Sequence, residues 1–308
     1  MSTSAEFQTI DVFTQKRFRG NPLAVILANS APLTPEQRQL AAREFNLSET
    51  IFIHRGPANL ADFDAPFTIN IHTINEELPF AGHPTIGAGW VLSQLYPTRK
   101  VFTLSTKAGK IPVTISPNGG VKLQVPIDFK EHAPFYAPQV KSPAVQPRLQ
   151  LADYVNGVEG PEAVASIVKG MTFMLFQLSS VDSLSRVQPL PSPFKIPAEH
   201  LGAWAGFSSL YVFVILPDVD TDGATTIRTR MFEGSAEDPA TGSAASTLCG
   251  WLGRKKGPGS WKFRVIQGVE MGRESHIGVF VDVGSDGEVV HIDLVGEAVK
   301  IMEGTIQF

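Results

Sequence analysis

With 308 residues, 43% of them hydrophobic and 18% charged, the chain has the composition of a globular protein long enough for two domains of ordinary size. A net charge of −4 gives no electrostatic reason to expect a nucleic-acid partner, and no apolar run approaches the roughly 20 residues a membrane helix needs. Cys249 is the single cysteine, which excludes an intrachain disulfide; the opening Met1 to Gln8 lacks the charged-then-apolar pattern of a secretory signal, so the expected location is the cytoplasm.

Taken in chain order, β-branched and aromatic residues predict a strand over 7–13, a turn at R-G-N-P (19–22) and a strand over 23–27. Thr34 and Pro35 are N-cap and first-turn signals for a helix to about residue 45, with Leu40 and Ala41 toward the core and Gln37 and Glu44 outward. Strands near 50–54 and 66–73 follow. The loop E-E-L-P-F-A-G-H-P (76–84) then feeds a helix of about 84–95, with Pro84 expected at its first position, where a missing N–H costs nothing. Small apolar residues from Ile86 to Leu92 predict burial of that helix on all sides. Strands follow at 101–105, 111–116 and 121–125. Residues 126–150 hold five prolines and little periodicity, and read as a linker or long connection.

The second half repeats the programme: a strand at 171–178, a short helix near 197–205, and strands at 209–216 and 226–232. The loop G-S-A-E-D-P-A-T-G-S (234–243) opens a helix of about 242–254, with Arg254, Lys255 and Lys256 at its C-terminus and Gly257 to close it. Strands at 261–266, 277–283 and 289–295 come next, and 299–308 carries strand residues that suit either half. At an offset of 160 residues Ser48 meets Ser208, Gly82 meets Gly242 and Leu92 meets Leu252. Two copies of one design predict two lobes, and a cleft between lobes is a favoured small-molecule site.

Three constellations carry chemistry. The glycine loops at Gly82 and Gly242 open helices whose first N–H groups lack internal partners, an arrangement that suits a carboxylate or a developing enolate; it equally suits ordinary buried helix starts. Glu49, between Ser48 and Thr50, is a candidate general base if buried, and a solvated boundary residue if not; the second copy has Ser209 in its place. Asp238 and His83 adjoin the two loops, either as a tautomer-fixing pair or as capping groups. There is no G-x-G-x-x-G, no phosphate-binding G-x-x-x-x-G-K-[ST], no His/Cys cluster with zinc spacing and no G-x-S-x-G. Cys249 reads as core. Chemistry without cofactor or metal is therefore expected, and proton transfer asks least beyond carboxylate, imidazole, hydroxyl and backbone groups.

Six segments together resemble the phenazine-biosynthesis isomerase (PhzF-like) family of the diaminopimelate-epimerase-like superfamily: D-V-F-T (11–14), G-N-P-L-A-V (20–25), L-A-A-R-E-F-N-L-S-E-T (40–50), N-E-E-L-P-F-A-G-H-P-T (75–85), E-D-P-A-T-G-S-A-A (237–245) and Q-G-V-E-M-G-R (267–273). The resemblance implies an α+β fold of two pseudo-symmetric lobes, each a mostly antiparallel sheet wrapped around a central helix, with the active site between them. It implies a first lobe of 1–126 plus a returning strand at about 298–308, and a second lobe of 127–297. By the same resemblance Glu49 is the acid–base residue, with Asp238 and His83 completing the catalytic set. Asn21, Ser48, Gly82, Thr241, Gly242 and Ser243 would bind a small-molecule carboxylate. The superfamily's racemases use one cysteine at each loop; here Gly82-His83 and Asp238 stand there, which disfavours two-thiol chemistry. The expected activity is a cofactor-independent isomerase, and the resemblance implies a homodimer. A racemase using Glu49 and Asp238, or a non-catalytic acid-binding protein, are the alternatives.

Overall fold

The computed structural model describes residues 4–28, 33–54, 65–219 and 222–308. Its chain divides into two units, Met1–Val125 with Asp293–Phe308, and Pro126–Ile292. The first unit carries strands β1 (Ser4–Val12), β2 (Asn21–Ala28), β3 (Thr50–His54), β4 (Phe67–His72), β5 (Glu77–Leu78), β6 (Val101–Thr106), β7 (Gly109–Ile115) and β8 (Val121–Gln124), and helices α1 (Pro35–Phe45) and α2 (Gly82–Leu95). β2 and β3 pair in parallel across the α1 connection, and β4 and β6 across α2; the other ladders are antiparallel. The C-terminal strand Ala298–Gln307 pairs antiparallel with β1, and Asp293–Gly296 with β8, so the chain end completes this unit.

Thr34 caps α1 as its sequence predicts: its hydroxyl accepts from Gln37 N–H, and the Gln37 side chain returns a bond to the cap amide. The inward stripe differs from the expected one. Ala41 and Ala42 are buried and Phe45 stacks edge-on with Phe7 at 5.0 Å, whereas Leu40 is 55% exposed. Residues 38, 41, 42 and 45 follow the i, i+3, i+4, i+7 spacing of one helix face, which leaves position 40 outside. α2 begins at Gly82, two residues before the expected start, so Pro84 is its third residue; that place is still within the opening turn, whose amides find no acceptor inside a helix. Eleven of its fourteen residues are buried. Gly87 makes the close fit possible: a Cβ there would stand 2.4 Å from Leu23 Cδ2.

The second unit carries β9 (Lys130–Phe135), α3 (Pro138–Lys141), β10 (Glu162–Val168), β11 (Met171–Gln177), α4 (Val181–Arg186), α5 (Ala198–Leu201), β12 (Phe207–Val219), β13 (Thr225–Glu233), β14 (Ala236–Asp238), α6 (Gly242–Lys256), β15 (Gly259–Gln267) and β16 (Ser275–Val283). β11 and β12 pair in parallel, as do β13 and β15 across α6, and β14 folds back on β13. This is the first unit's pattern again, and its central helix begins 160 residues after α2. Gly257 closes α6 as expected, with φ 90°.

Residues 126–150 are not a linker. β9 pairs with β10, and Ala137, Val140 and Tyr154 join the apolar core of the second unit. Lys141 is buried there: its Nζ donates to the Gly157 and Gly160 carbonyls, both at 2.8 Å, and meets Glu162 Oε1 at 2.6 Å. Burial pushes the Glu162 carboxyl up, against the bonds from Lys141 and Asn156 that pull it down. Prolines in this stretch hid elements whose partners lie far along the chain. Among the described residues no helix is long and apolar enough to cross a membrane.

Candidate active site

The first loop is built from the end of α1 and the start of α2. Asn46 ends α1 in the left-handed region (φ 51°), with its N–H on the Ala42 carbonyl. That turn sends Leu47, Ser48 and Glu49 across to β3. Glu49 Oε2 comes to 3.5 Å from His83 Nδ1, with the two side chains 18% and 5% exposed. Ser48, the residue before Glu49, is exposed. Asn21 is buried at the start of β2, and Gly82 is buried as the first residue of α2. Thr85 donates its hydroxyl to the Ala81 carbonyl at 2.7 Å, tightening the first turn.

Behind this loop stands a polar network absent from the sequence expectations. Glu77 on β5 accepts from Asn70 Nδ2 at 2.6 Å and pairs with Lys107 Nζ at 2.8 Å. Asn70 meets His54 at 2.7 Å, and His72 meets Gln39 at 3.1 Å. Burial lowers both histidines from their ordinary value. For Glu77, burial works upward but the bonds from Lys107 and Asn70 carry its carboxyl below the usual range. β5 runs straight into residues 79–81 and α2, so this network holds the strand that delivers Gly82 and His83.

The second loop is built from β14, the turn at 239–241 and α6. Asp238 ends β14; its Oδ1 accepts from Ala240 N–H at 3.4 Å, and its Oδ2 accepts the Thr241 hydroxyl in a short bond. Gly242 and Ser243 open α6, and Gly242 is buried. Gln267, wholly buried at the end of β15, braces the turn: its Nε2 donates to the Asp238 carbonyl at 2.8 Å and to Thr241 Oγ1 at 3.0 Å. Gly268 follows with φ +74°, and a Cβ there would stand 2.7 Å from the Pro239 carbonyl oxygen. Only glycine fits both the angle and that approach. Upstream, Arg230 grips Glu237 with two bonds of 2.8 and 2.7 Å and also donates to the Val187 carbonyl at 2.9 Å.

Ser209, the repeat partner of Glu49, is buried and donates its hydroxyl to the Phe232 carbonyl at 2.7 Å. It lines a concavity of about 410 Å³ with Lys195, Phe207, Ser208 and Glu233. Its hydroxyl is thus spent on the sheet, and the second unit has no acid–base group at that position. Cys249 is buried within α6, and burial pushes its thiol well above the ordinary value, as befits a core residue. Among the described residues no three of His, Cys, Asp or Glu gather as a metal-holding group. Sequence reasoning missed Gln267, Tyr211, Thr229, Glu77 and Glu237. Gln267 had one signal, its place at the head of Q-G-V-E-M-G-R.

Residues 10–304 match the model of the phenazine biosynthesis-like protein family, PhzC-PhzF. An uncharacterized isomerase of Pasteurella multocida is 32% identical over 296 residues, covering 95% of this chain and 91% of that protein. The trans-2,3-dihydro-3-hydroxyanthranilate isomerase of Pseudomonas aeruginosa is 30% identical over 307 residues, covering 97% and 98%. The crystal structure of the PhzF-family phenazine biosynthesis protein of Bacillus anthracis aligns over 99% of both chains with a TM-score of 0.79 at 22% identity, a likeness of fold.

Proposed function

The chain belongs to the phenazine biosynthesis-like family and is an isomerase, and from that premise we propose that it moves a proton on a small carboxylated metabolite without a cofactor, with Glu49 as the acid–base group. The observation that carries this reading is the approach of Glu49 to His83 at 3.5 Å, both largely shielded, at the first turn of a buried helix. A carboxylate in that place can take a proton from carbon beside a conjugated acid and return it at another atom. His83 orients the carboxylate and, when protonated, balances its charge.

The anion formed in between needs donors that do not have to reorganise. Each loop offers such donors by itself: the opening amides of α2 at Gly82, and those of α6 at Gly242 and Ser243, are positive helix ends that suit a carboxylate or an enolate. Asp238 is the polar group of the second loop, and Thr241 belongs to the same turn. Asn21 and Ser48 complete the proposed binding set. General acid–base help of this kind is worth roughly 10²–10⁴-fold in rate. The name of the Pseudomonas aeruginosa relative supplies the first acid to try, trans-2,3-dihydro-3-hydroxyanthranilate. A cytoplasmic homodimer is part of the same reading, and sedimentation of the purified chain tests the dimer.

The deciding experiment incubates the protein in heavy water with trans-2,3-dihydro-3-hydroxyanthranilate and a panel of small conjugated acids. The wild type should convert one of them and leave deuterium on carbon; Glu49→Gln should stay folded and do neither. Conversion by Glu49→Gln at the wild-type rate removes Glu49 from the role. Thermal stabilisation by an acid with no exchange at any carbon leaves only a binding protein.

A further inference from the structure

One buried side-chain amide bonds both Asp238 and Thr241 of the second loop. Gln267 Oε1 accepts from Tyr211 OH at 2.9 Å and from Thr241 N–H at 3.3 Å, while Nε2 donates to the Asp238 carbonyl and to Thr241 Oγ1. Its orientation is dictated by its partners. A backbone N–H can only donate and a carbonyl can only accept, so Oε1 must face Thr241 N–H and Nε2 must face the Asp238 carbonyl. A flipped amide would set two donors against each other and two acceptors against each other.

Resting on the reading that Asp238 serves the reaction, we infer that Gln267 is a positioning residue: it fixes the direction of the hydrogen bonds in this loop so that Thr241 donates its one hydroxyl proton to Asp238. Nε2 carries only donors. Thr241 Oγ1 must therefore accept from it, and the hydroxyl proton is left to point at Asp238 Oδ2. Asp238 is then held in one rotamer by Ala240 N–H on one oxygen and Thr241 on the other. The chain of donors begins deeper still. Tyr211 OH lies 3.0 Å from Thr229 Oγ1, and Tyr211, Thr229 and Gln267 are wholly buried. Burial pushes the Tyr211 hydroxyl well above its ordinary value, so it stays a neutral donor to Oε1.

Thr241 has its amide on Gln267 and its hydroxyl between Gln267 and Asp238, so it supports the loop instead of contacting the ligand. The groups this loop offers to an anion are then those of Gly242 and Ser243. A buried network whose members all depend on one amide is also one where a single lost donor misplaces the carboxylate.

The test uses the full chain and has two arms. The first needs no substrate: the Thr241 hydroxyl proton is followed by NMR. It should exchange slowly in the wild type and become too fast to observe in Gln267→Glu, which keeps the shape and loses the donors. Slow exchange unchanged in Gln267→Glu overturns the inference, and this arm decides alone if the probe acid is not turned over. The second arm follows turnover of trans-2,3-dihydro-3-hydroxyanthranilate. Gln267→Glu and Thr241→Val should each lower kcat about 10- to 100-fold with KM changed less than about threefold, as expected for a misplaced reacting group. Thr241→Ser should restore turnover, and the double variant should be no worse than the poorer single one. If Gln267→Glu folds poorly, Tyr211→Phe replaces it, with an expected loss of about 3- to 10-fold. Wild-type kcat in Thr241→Val beside an inactive Asp238→Asn overturns the role of Gln267. Wild-type kcat in Asp238→Asn overturns instead the reading on which the inference rests.

Discussion

The two helix-opening loops share an anchor and differ in what they do with it. Glu77 and Glu237 stand at the 160-residue offset of the repeat, each on the short strand before its helix, and each is held by a cation. Lys107, the partner of Glu77, has a side chain 55% exposed. Arg230, the partner of Glu237, is 7% exposed and donates to backbone carbonyls as well. Beyond the anchor the first loop brings an acid and an imidazole together, whereas the second is bound into a buried amide–hydroxyl network. The difference teaches how one duplicated design can be built in two ways: one copy sets a carboxylate beside an imidazole, and the other has a hydrogen-bonded support at its helix start. Ser209, tied to Phe232 where the first copy has Glu49, marks the difference.

The largest effect that could break this comparison is on turnover. Glu49→Gln should lower kcat by about 10²–10⁴-fold, with its melting temperature close to that of the wild type, since glutamine keeps the size and shape of the side chain. Ser209→Glu is the mirror experiment. It forces a carboxylate into a buried hydroxyl site, so it should cost stability and give no new activity in an Glu49→Gln background. Recovery of turnover there would show that the two copies are interchangeable after all.

Next comes the rigidity of the second loop. Gly268→Ala must place a methyl 2.6 Å from the Arg273 carbonyl oxygen and 2.7 Å from that of Pro239, at φ +74°. Strain and overpacking each cost about 1–3 kcal/mol, so denaturant unfolding should show a loss of about 3–4 kcal/mol. Neither obstacle is the end of a flexible side chain, and the backbone around Pro239 has to shift. An unchanged unfolding midpoint would mean that the second loop is soft.

How much of this was legible in the sequence follows from how local each feature is. The α1 cap, the glycine loops and the position of Glu49 are written in contiguous residues, and Thr34, Gly82 and Gly242 stand where their neighbours imply. Gln267 and its partners Tyr211 and Thr229 lie on three strands, 56 and 38 residues apart along the chain. A buried glutamine has no local signature; its meaning comes from which strands the sheet makes adjacent. The same holds for Lys141, whose proline-rich surroundings suggested a linker until its cage of carbonyls and Glu162 gave it a place in a core. Leu40 differs for a nearer reason: an apolar side chain alone is a weaker guide to the buried face than the spacing that Ala41, Ala42 and Phe45 define.

The second unit should also lose stability in acid at a defined point. Burial, with Lys130 and His200 nearby, lowers His132 to about 4, and its Nε2 is shared with Ser166 Oγ at 2.8 Å. Above pH 6.5 this imidazole is neutral whether the chain is folded or not, and it contributes no pH dependence. As pH falls below 6.5 the unfolded chain takes up a proton that the folded one refuses, so stability declines until about pH 4, where the folded form charges too and the decline levels off. At about 1.4 kcal/mol per pKa unit the loss is at most about 3.5 kcal/mol. Urea unfolding of His132→Asn across pH 4–7 should lack this slope.

The smallest effect is the sharpest for the comparison, because it makes the first helix start resemble the second. Thr85 and Ala245 are repeat partners, and both use their N–H on the carbonyl four residues back, Ala81 and Thr241. Thr85 alone adds a hydroxyl, donated to the same Ala81 oxygen at 2.7 Å. Thr85→Ala removes that second bond while leaving the amide in place, so no acceptor is orphaned, and the cost should be about 1 kcal/mol. If the first loop owes its geometry to the Glu77 network upstream, kcat should change less than about threefold. A larger fall in kcat with the same modest loss of stability would mean that the Thr85 hydroxyl sets the angle at which His83 meets Glu49. The first loop would then carry a local brace of its own, in place of the one Gln267 provides to the second.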